Sequence, residues 1–298
     1  MAIAPAPARH LALVAFSYVV CIGVAWMVLR YFPELGWLAR VGIADVVATV
    51  VMFGFSRTFD NSSFYDAYWS LFPMALAPWL AFGPASDRLV ARHVIVIAIV
   101  WIWGLRLTWN WVRSWEGLDH EDWRYTVFRK RYGTKYWPFS FAAIHLFPTA
   151  CTYLSSWPLF PAMASEKPLD AFDVAAALVA LAGAIIEATS DATLRKYRAD
   201  CVARGITGAV CETGLWRYSR HPNYFGECTF WVGVWLMGVA ADPSVWLWTL
   251  PGPTVIVLLF VFGTIPMMEK RSLERRPEFA EHQRKVSMLV PWFRREVG

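Results

Sequence analysis

The sequence predicts an all-α fold, a polytopic bundle of seven to eight transmembrane helices. Of the 298 residues, 57% are hydrophobic and 17% are charged, whereas soluble domains have about 45–50% apolar and about 25% charged residues. Apolar runs of about 20 residues, the length that a helix needs to cross a bilayer, recur along the chain. This composition excludes a disordered chain, because so much apolar surface would not stay solvated. It also argues against a soluble two-domain enzyme.

Eight apolar runs are the predicted crossings, and one of them could instead be interfacial or re-entrant. The first follows Arg9 and His10 and is too long for the hydrophobic core of a signal peptide, so we interpret it as a helix. Several later runs contain proline, which predicts kinked or broken helices. Neither a repeat nor a linker is visible, which predicts a single integral membrane domain over residues 1–298. The predicted crossings are 11–29, 41–56, 66–83, 93–112, 141–160, 171–190, 224–241 and 245–267.

Basic residues predict the orientation of these helices. The segments 113–140 and 191–220 each carry six Lys and Arg residues, and the tail after Glu269 carries eight, whereas the loops between them carry few. By the positive-inside rule, the three basic segments lie together on the cytoplasmic side. The five cysteines show no Cys-x-x-Cys spacing, so they predict neither a disulfide framework nor a zinc site.

The densest polar cluster spans residues 187–227. Glu187, Asp191 and Arg195 recur at a spacing of four and therefore share one helical face. Glu187 and Glu227 lie inside apolar runs, where an ionisable side chain is costly and indicates function. Glycines between the arginines of the connecting loop suit a close approach to phosphate groups. The alternative is a solvated juxtamembrane segment whose arginines contact lipid headgroups.

The string GLWRYSRHPNYFGE at residues 214–227 resembles the signature of the steroid 5α-reductase C-terminal superfamily, in its bacterial branch of uncharacterised DUF1295-type membrane proteins. The segment 191–198 and the pattern Gly-x-x-Pro-x-x-Glu at residues 263–269 also fit, and the resemblance is strongest over 187–293. It implies a helical bundle that closes around NADPH on the cytoplasmic side of a bacterial inner membrane. The implied activity is reduction of an activated carbon–carbon double bond in a lipid-like substrate, such as a steroid, an enone or an enoyl lipid.

The resemblance also implies roles for individual residues. Asp191 and Arg198 would hold the adenosine and phosphate groups of NADPH, and Asn223 and Glu227 would hydrogen-bond its nicotinamide carboxamide. Near a 2′-phosphate, an arginine side chain is more favourable than a carboxylate side chain. Glu227 could instead pair with Arg220 at the start of its helix. The predicted cofactor-binding residues are Arg106, Asn110, Glu187, Asp191, Arg195, Arg198, Tyr218, Arg220, His221, Asn223, Tyr224, Glu227 and Glu269.

Tyr65 and Asp66 are the predicted catalytic residues, because reduction of an enone needs an acid that polarises or protonates the carbonyl. Asp66 in an apolar setting would have a raised pKa and could stay protonated. Asp66 could equally be a helix N-cap or the partner of Arg57. Trp103 or a neighbour occupies the region where the steroid reductases place a tyrosine, which speaks against a steroid-specific pocket.

Two other classes of protein remain as alternatives. Membrane methyltransferases that use S-adenosylmethionine share the Arg-His-Pro-x-Tyr-x-Gly string, as do sterol C14 reductases, but the methyltransferases usually carry a Glu-Glu pair further on. Here Lys270 follows Glu269, which favours the reductase. The second alternative is a non-catalytic membrane protein, such as a transporter or a scaffold, and the transporter is disfavoured because no inverted repeat is visible. The predicted partners are a lipid-like small molecule and the bilayer, with no nucleic acid, and no oligomeric state is predicted.

Overall fold

The computed structural model describes residues 6–83 and 89–295, and in this part of the chain the protein is all-α. The single β-type contact there is an isolated parallel bridge between Ser219 and Ser287. The predicted fold class is therefore confirmed. The chain divides into an N-terminal unit, residues 2–166, and a C-terminal unit, residues 167–298.

The N-terminal unit is built from three long helices, one shorter helix and a set of short ones. α3 is helical in spite of two internal prolines, Pro73 and Pro78. A π-helical segment, Phe141–Leu146, joins α6 to α7 without a break. The helices are α1 (Ala8–Tyr31), α2 (Trp37–Thr58), α3 (Tyr68–Phe82), α4 (Ala91–Ser114), α5 (Trp123–Tyr132), α6 (Tyr136–Ser140), α7 (Phe147–Ser155) and α8 (Leu159–Ala164).

The C-terminal unit begins with the 33-residue helix α9. The Asp170 carboxylate caps α9 by accepting hydrogen bonds from the main-chain N–H groups of Phe172 and Asp173. A second π-helical segment, Leu259–Thr264, joins α12 to α13. The helices are α9 (Ala171–Ala203), α10 (Pro222–Ala241), α11 (Trp246–Thr249), α12 (Pro251–Leu258), α13 (Ile265–Arg275) and α14 (Phe279–Lys285).

Within the described residues, five helices are long and apolar enough to cross a membrane. They are α1, α2, α4, α9 and the run Pro243–Arg275, and each matches a predicted crossing. The other three predicted crossings fall on helices outside this set, namely α3, the α6–α7 run and α10. The transmembrane helical architecture is supported, whereas the count of seven to eight crossings is not confirmed.

At two prolines of the later helices, the helix widens instead of breaking. Each π-helical segment ends just before a proline in the first turn of the following helix, Pro148 in α7 and Pro266 in α13. A proline clashes with the carbonyl four residues earlier in an α-helix and cannot donate to it. A π-type turn opens the ladder at that point, so the chain continues as one helix.

Glycines allow α9 and α10 to pack at the distance of their main chains. A Cβ atom added at Gly233 would lie 2.3 Å from the main-chain nitrogen of Ala180, and one at Gly226 would lie 2.6 Å from that of Glu187. Small residues at such crossings are the usual way for membrane helices to approach closely. The contact brings the start of α10 against the middle of α9, where the predicted polar residues lie.

Candidate functional site

The first polar contact between α9 and α10 joins Asp191 and Asn223. The amide nitrogen Nδ2 of Asn223 donates to Oδ1 of Asp191 at 3.3 Å. The other end of the amide, Oδ1 of Asn223, is buried, and no described residue hydrogen-bonds to it. A buried amide oxygen without a donor is unusual in a folded protein, so this atom is the candidate contact point for a ligand.

Two predicted arginines lie further along the same helix. Arg195 and Arg198 are exposed near the C-terminal end of α9. Arg198 interacts electrostatically with Asp191 and Tyr224, and with a second arginine, Arg276. The structure therefore brings Asp191, Asn223 and Arg198 into one region, as the sequence predicted for an anionic ligand.

Glu269 is the centre of a second network. Its carboxylate accepts hydrogen bonds from Arg220 Nε at 2.6 Å and from Gln283 Nε2 at 2.6 Å, and its Oε1 lies 3.1 Å from His221 Nε2. Arg220 also donates to the main-chain carbonyls of Gln283, at 3.0 Å, and Val286. Arg220 and Glu269 are thus held by the protein itself, and direct contacts of these two with a cofactor stay a prediction.

A non-helical segment with several bends, residues 286–295, which we call the strap, packs against the signature string. The main-chain nitrogen of Arg220 donates to Ser287 O at 2.8 Å, the Ser219 hydroxyl donates to Leu289 O at 2.7 Å, and Trp292 N donates to Tyr218 O at 2.9 Å. These bonds hold the backbone just before α10. The predicted site residue Tyr218 is 38% exposed.

A salt bridge fixes the far end of the strap. Arg294 binds Glu212 with two hydrogen bonds, of 3.0 and 2.6 Å, and these hold the pKa of Glu212 below its ordinary value. His282 of α14 lies 3.1 Å from the same carboxylate. The strap is therefore an ordered part of the C-terminal unit.

The remaining predicted residues of this unit lie within α9 and α10 or at the start of α10. Glu187 and Glu227 are buried, and Glu227 Oε1 accepts a hydrogen bond of 2.9 Å from Trp231 Nε1 of its own helix. Tyr224 stacks on Phe260, with ring centroids 4.4 Å apart, and on His221. The roles of these groups toward a cofactor stay a prediction.

In the N-terminal unit, the two predicted catalytic residues have different partners. The Tyr65 hydroxyl is 2.7 Å from Thr149 Oγ1, whereas Asp66 accepts a hydrogen bond of 2.5 Å from the Tyr125 hydroxyl. Burial raises the pKa of Asp66 to about 6, although the nearby Arg124 acts in the opposite direction. The direction of the shift agrees with the sequence analysis.

Arg106 and Asn110 lie in α4 of the N-terminal unit. Both side chains are half-buried, and both interact with other groups of the protein. They lie one turn apart on a helix that is long enough to cross the membrane. A contact of either residue with a cofactor stays a prediction.

Sequence reasoning missed a polar site inside α2. Asp45 is 2% exposed, and its Oδ1 accepts a hydrogen bond of 2.9 Å from the Tyr68 hydroxyl. Its other oxygen, Oδ2, is buried and has no hydrogen-bond partner in the described ranges. A single acidic residue within the predicted crossing 41–56 was the available signal, because such residues are rare and functional by default.

Asp45 and Tyr68 line an apolar cavity of about 190 Å³ in the N-terminal unit. Its walls are aliphatic and aromatic side chains of α1, α2 and α3, including Trp26, Leu76 and Trp79. Tyr68 also stacks on Tyr65, with ring centroids 5.0 Å apart. The cavity can hold an apolar molecule, and its lining includes the carboxyl group of Asp45 and two tyrosines, Tyr18 and Tyr68.

The sequence matches the family described as "Protein of unknown function (DUF1295)" over residues 52–286, so the chain belongs to that family. It is 27% identical over 266 residues to uncharacterized protein C594.04c of Schizosaccharomyces pombe (strain 972 / ATCC 24843), a match that covers 81% of this chain and 76% of the yeast protein. No solved structure matches it. The family is the one that the signature string suggested.

Proposed function

We propose that this DUF1295 family member is a membrane-embedded, NADPH-dependent reductase of an activated carbon–carbon double bond in a lipid-like substrate. The observation that carries the proposal is the buried Oδ1 of Asn223, an acceptor that no described residue satisfies. A primary carboxamide supplies the N–H donor that this atom lacks. The proposal assigns the cofactor to the C-terminal unit and the acceptor molecule to the N-terminal unit.

The residues around Asn223 fit a nicotinamide dinucleotide with a 2′-phosphate. Asp191 holds the amide of Asn223, so that Oδ1 is fixed in place. Arg195 and Arg198 are exposed residues, and their planar guanidinium groups can donate to phosphate oxygens. Bound NADPH would supply a hydride. The networks of Glu269 and Glu227 would act indirectly, because they hold the start of α10.

The acceptor would bind in the apolar cavity, whose walls suit a hydrocarbon body. The Tyr68 hydroxyl donates to Asp45 Oδ1, which leaves Asp45 Oδ2 as the atom that can hold a proton for a carbonyl oxygen of the acceptor. This arrangement favours Asp45 and Tyr68 over Tyr65 and Asp66 as the groups that contact the substrate. Placement of the cofactor on the cytoplasmic side of a bacterial inner membrane rests on the basic loops and on the family resemblance.

Ligand binding to the purified protein tests the cofactor. We expect NADPH to bind more tightly than NADH, with an affinity that falls as salt is added, because charged contacts are screened. Asn223→Ala and Arg198→Gln should each weaken NADPH binding about tenfold or more, since hydrogen bonds to charged or buried groups are worth about 1.5–3 kcal/mol. Arg284→Gln, which removes an exposed arginine of α14, is the matched control and should change nothing. Binding of S-adenosylmethionine without NADPH binding would overturn the reductase and support a methyltransferase.

A further inference from the structure

The strap presents large apolar side chains to the outside of the C-terminal unit. Trp292 is 67% exposed and Phe293 is 77% exposed, and Val290 is also exposed. The backbone that carries them is fixed by its hydrogen bonds to Tyr218 and Ser219. Exposed aromatic side chains on an ordered segment indicate an interaction surface.

Hydrogen bonds place this surface at the end of the apolar part of α9. The apolar run of α9 stops at Ser190, and charged residues begin at Asp191. Trp216 Nε1 donates to Ser190 O at 2.9 Å, and two residues after Trp216 the carbonyl of Tyr218 accepts the bond from Trp292 N. The aromatic pair of the strap therefore lies at the level where α9 leaves the apolar phase.

Both signs of charge lie near the same surface, where Arg295 lines a cleft together with Glu212, Glu278 and Glu281. Arg217, beside Tyr218, and Arg295, three residues after Trp292, are both exposed. Two nearby carboxylates already have cationic partners within the unit, Glu212 with Arg294 and Glu281 with Lys285. Tryptophan and tyrosine are enriched at membrane interfaces, and exposed arginines are attracted to anionic headgroups.

We propose that the strap is a membrane-interface anchor: Trp292 and Phe293 insert between phospholipid headgroups, and Arg217 and Arg295 contact anionic lipid phosphates. The anchor holds the strap at the bilayer surface and, through it, the backbone of residues 218–220. The inference does not depend on the proposed reductase activity.

Site-directed spin labelling of the reconstituted full chain tests the anchor. Trp292→Cys is the probe and Arg284→Cys, on the exposed face of α14, is the control, both in a Cys201→Ser background because the other four cysteines are buried. In vesicles of phosphatidylcholine and phosphatidylglycerol, we expect the label at 292 to collide several-fold more with oxygen and several-fold less with a water-soluble nickel chelate than the label at 284. Equal nickel accessibility at the two positions would overturn the anchor. Shielding of position 292 from oxygen as well as from nickel would also overturn it, because protein would then cover the strap.

A charge variant separates the two parts of the proposal and leaves the labelled site intact. Arg217→Gln with Arg295→Gln, in the Trp292→Cys probe, should raise the nickel accessibility of position 292 in anionic vesicles but not in pure phosphatidylcholine. An identical rise in both lipids would show that the arginines act through the fold and would contradict their assignment to anionic phosphates.

Discussion

The apolar cavity of the N-terminal unit and the polar cluster of the C-terminal unit use charge in opposite ways. In the cavity, one carboxyl group, that of Asp45, and two phenols, Tyr18 and Tyr68, stand among hydrocarbon walls, and the Tyr68 hydroxyl donates to the carboxylate and the main-chain carbonyl of Asp45. In the C-terminal unit, charged groups are abundant, but Glu269, Arg220 and His221 mostly bind one another. The comparison teaches that the number of charges in a region is a poor guide to its ligand. The informative atoms are two buried oxygens that lack a hydrogen-bond partner among the described residues, Oδ2 of Asp45 and Oδ1 of Asn223.

The largest effect is expected from Asp45→Asn, which removes a carboxyl group but retains a hydrogen-bonding side chain for Tyr68. With NADPH and a panel of enone acceptors, we expect the rate of NADPH oxidation to fall about 10²–10⁴-fold, the usual contribution of a general acid. The affinity for NADPH should not change. Asp119→Asn, in an exposed loop, is the control. Full activity of Asp45→Asn combined with a loss in Asp66→Asn would favour the pair that the sequence predicted.

Arg220→Met tests whether the Glu269 network is structural. Both partners are nearly buried, with side chains only 10% and 12% exposed, so removal of the guanidinium leaves a buried charge without its main partner. We expect the free energy of unfolding in detergent to fall by about 3–5 kcal/mol. Lys285→Met breaks the more exposed pair with Glu281 and should cost about 0–1 kcal/mol. Similar losses for the two variants would contradict the distinction.

Gly233→Ala tests the close contact of α9 and α10, which holds Asn223 against Asp191. Because the new Cβ would lie 2.3 Å from the Ala180 nitrogen, the helices must separate, and the free energy of unfolding should fall by about 1–3 kcal/mol or more. Gly54→Ala, in α2, meets nothing within 4 Å and should be neutral or stabilising by up to about 1 kcal/mol. An unchanged free energy of unfolding in Gly233→Ala would show that α9 and α10 are far enough apart to accommodate the added methyl group.

The smallest effect concerns the pH dependence of the N-terminal unit. Burial raises the pKa of Asp66 from its ordinary value of 3.8 to about 6, so the folded state binds this proton more tightly than the unfolded state. The protonated Asp66 side chain stabilises the folded state fully below about pH 4, and this stabilisation is lost as the pH rises through about 6. The free energy lost is at most about 2 kcal/mol, because Asp66 is only half-buried. Asp66→Asn should make the midpoint of unfolding less dependent on pH over this range. A midpoint of unfolding that rises with pH would show that the attraction between Arg124 and the ionised Asp66 outweighs the effect of burial.

Local sequence patterns predicted the helices and the polar cluster. They did not predict which side chains pair when the two residues lie far apart in the sequence. The spacing of Glu187, Asp191 and Arg195 fixes one helical face, and the signature string contains Asn223. Nothing in the sequence indicated that Glu269 pairs with Arg220, 49 residues away, because the partner of a charged residue depends on how the helices pack.

Three of the predicted crossings were not confirmed, and Asp45 was missed as a candidate residue, for related reasons. Averaged hydropathy identifies long apolar runs but cannot show whether a run forms one long helix or several short segments, as at 141–160. The same averaging conceals a single carboxylate in an apolar run, so Asp45 was interpreted as part of the crossing 41–56 and not as a candidate site residue. Its cavity depends on the packing of α1, α2 and α3, which no local pattern encodes.

The strap has a consequence for how the protein is made. The strap lies far along the sequence from the residues that it binds. Ser219 bonds to Leu289, 70 residues later, and the run Pro243–Arg275, which is long and apolar enough to cross a membrane, lies between them. During synthesis the signature string therefore reaches the membrane before the residues that fix it have been translated. Until the strap has been translated, the backbone of residues 218–220 lacks the hydrogen bonds that the strap supplies in the folded chain.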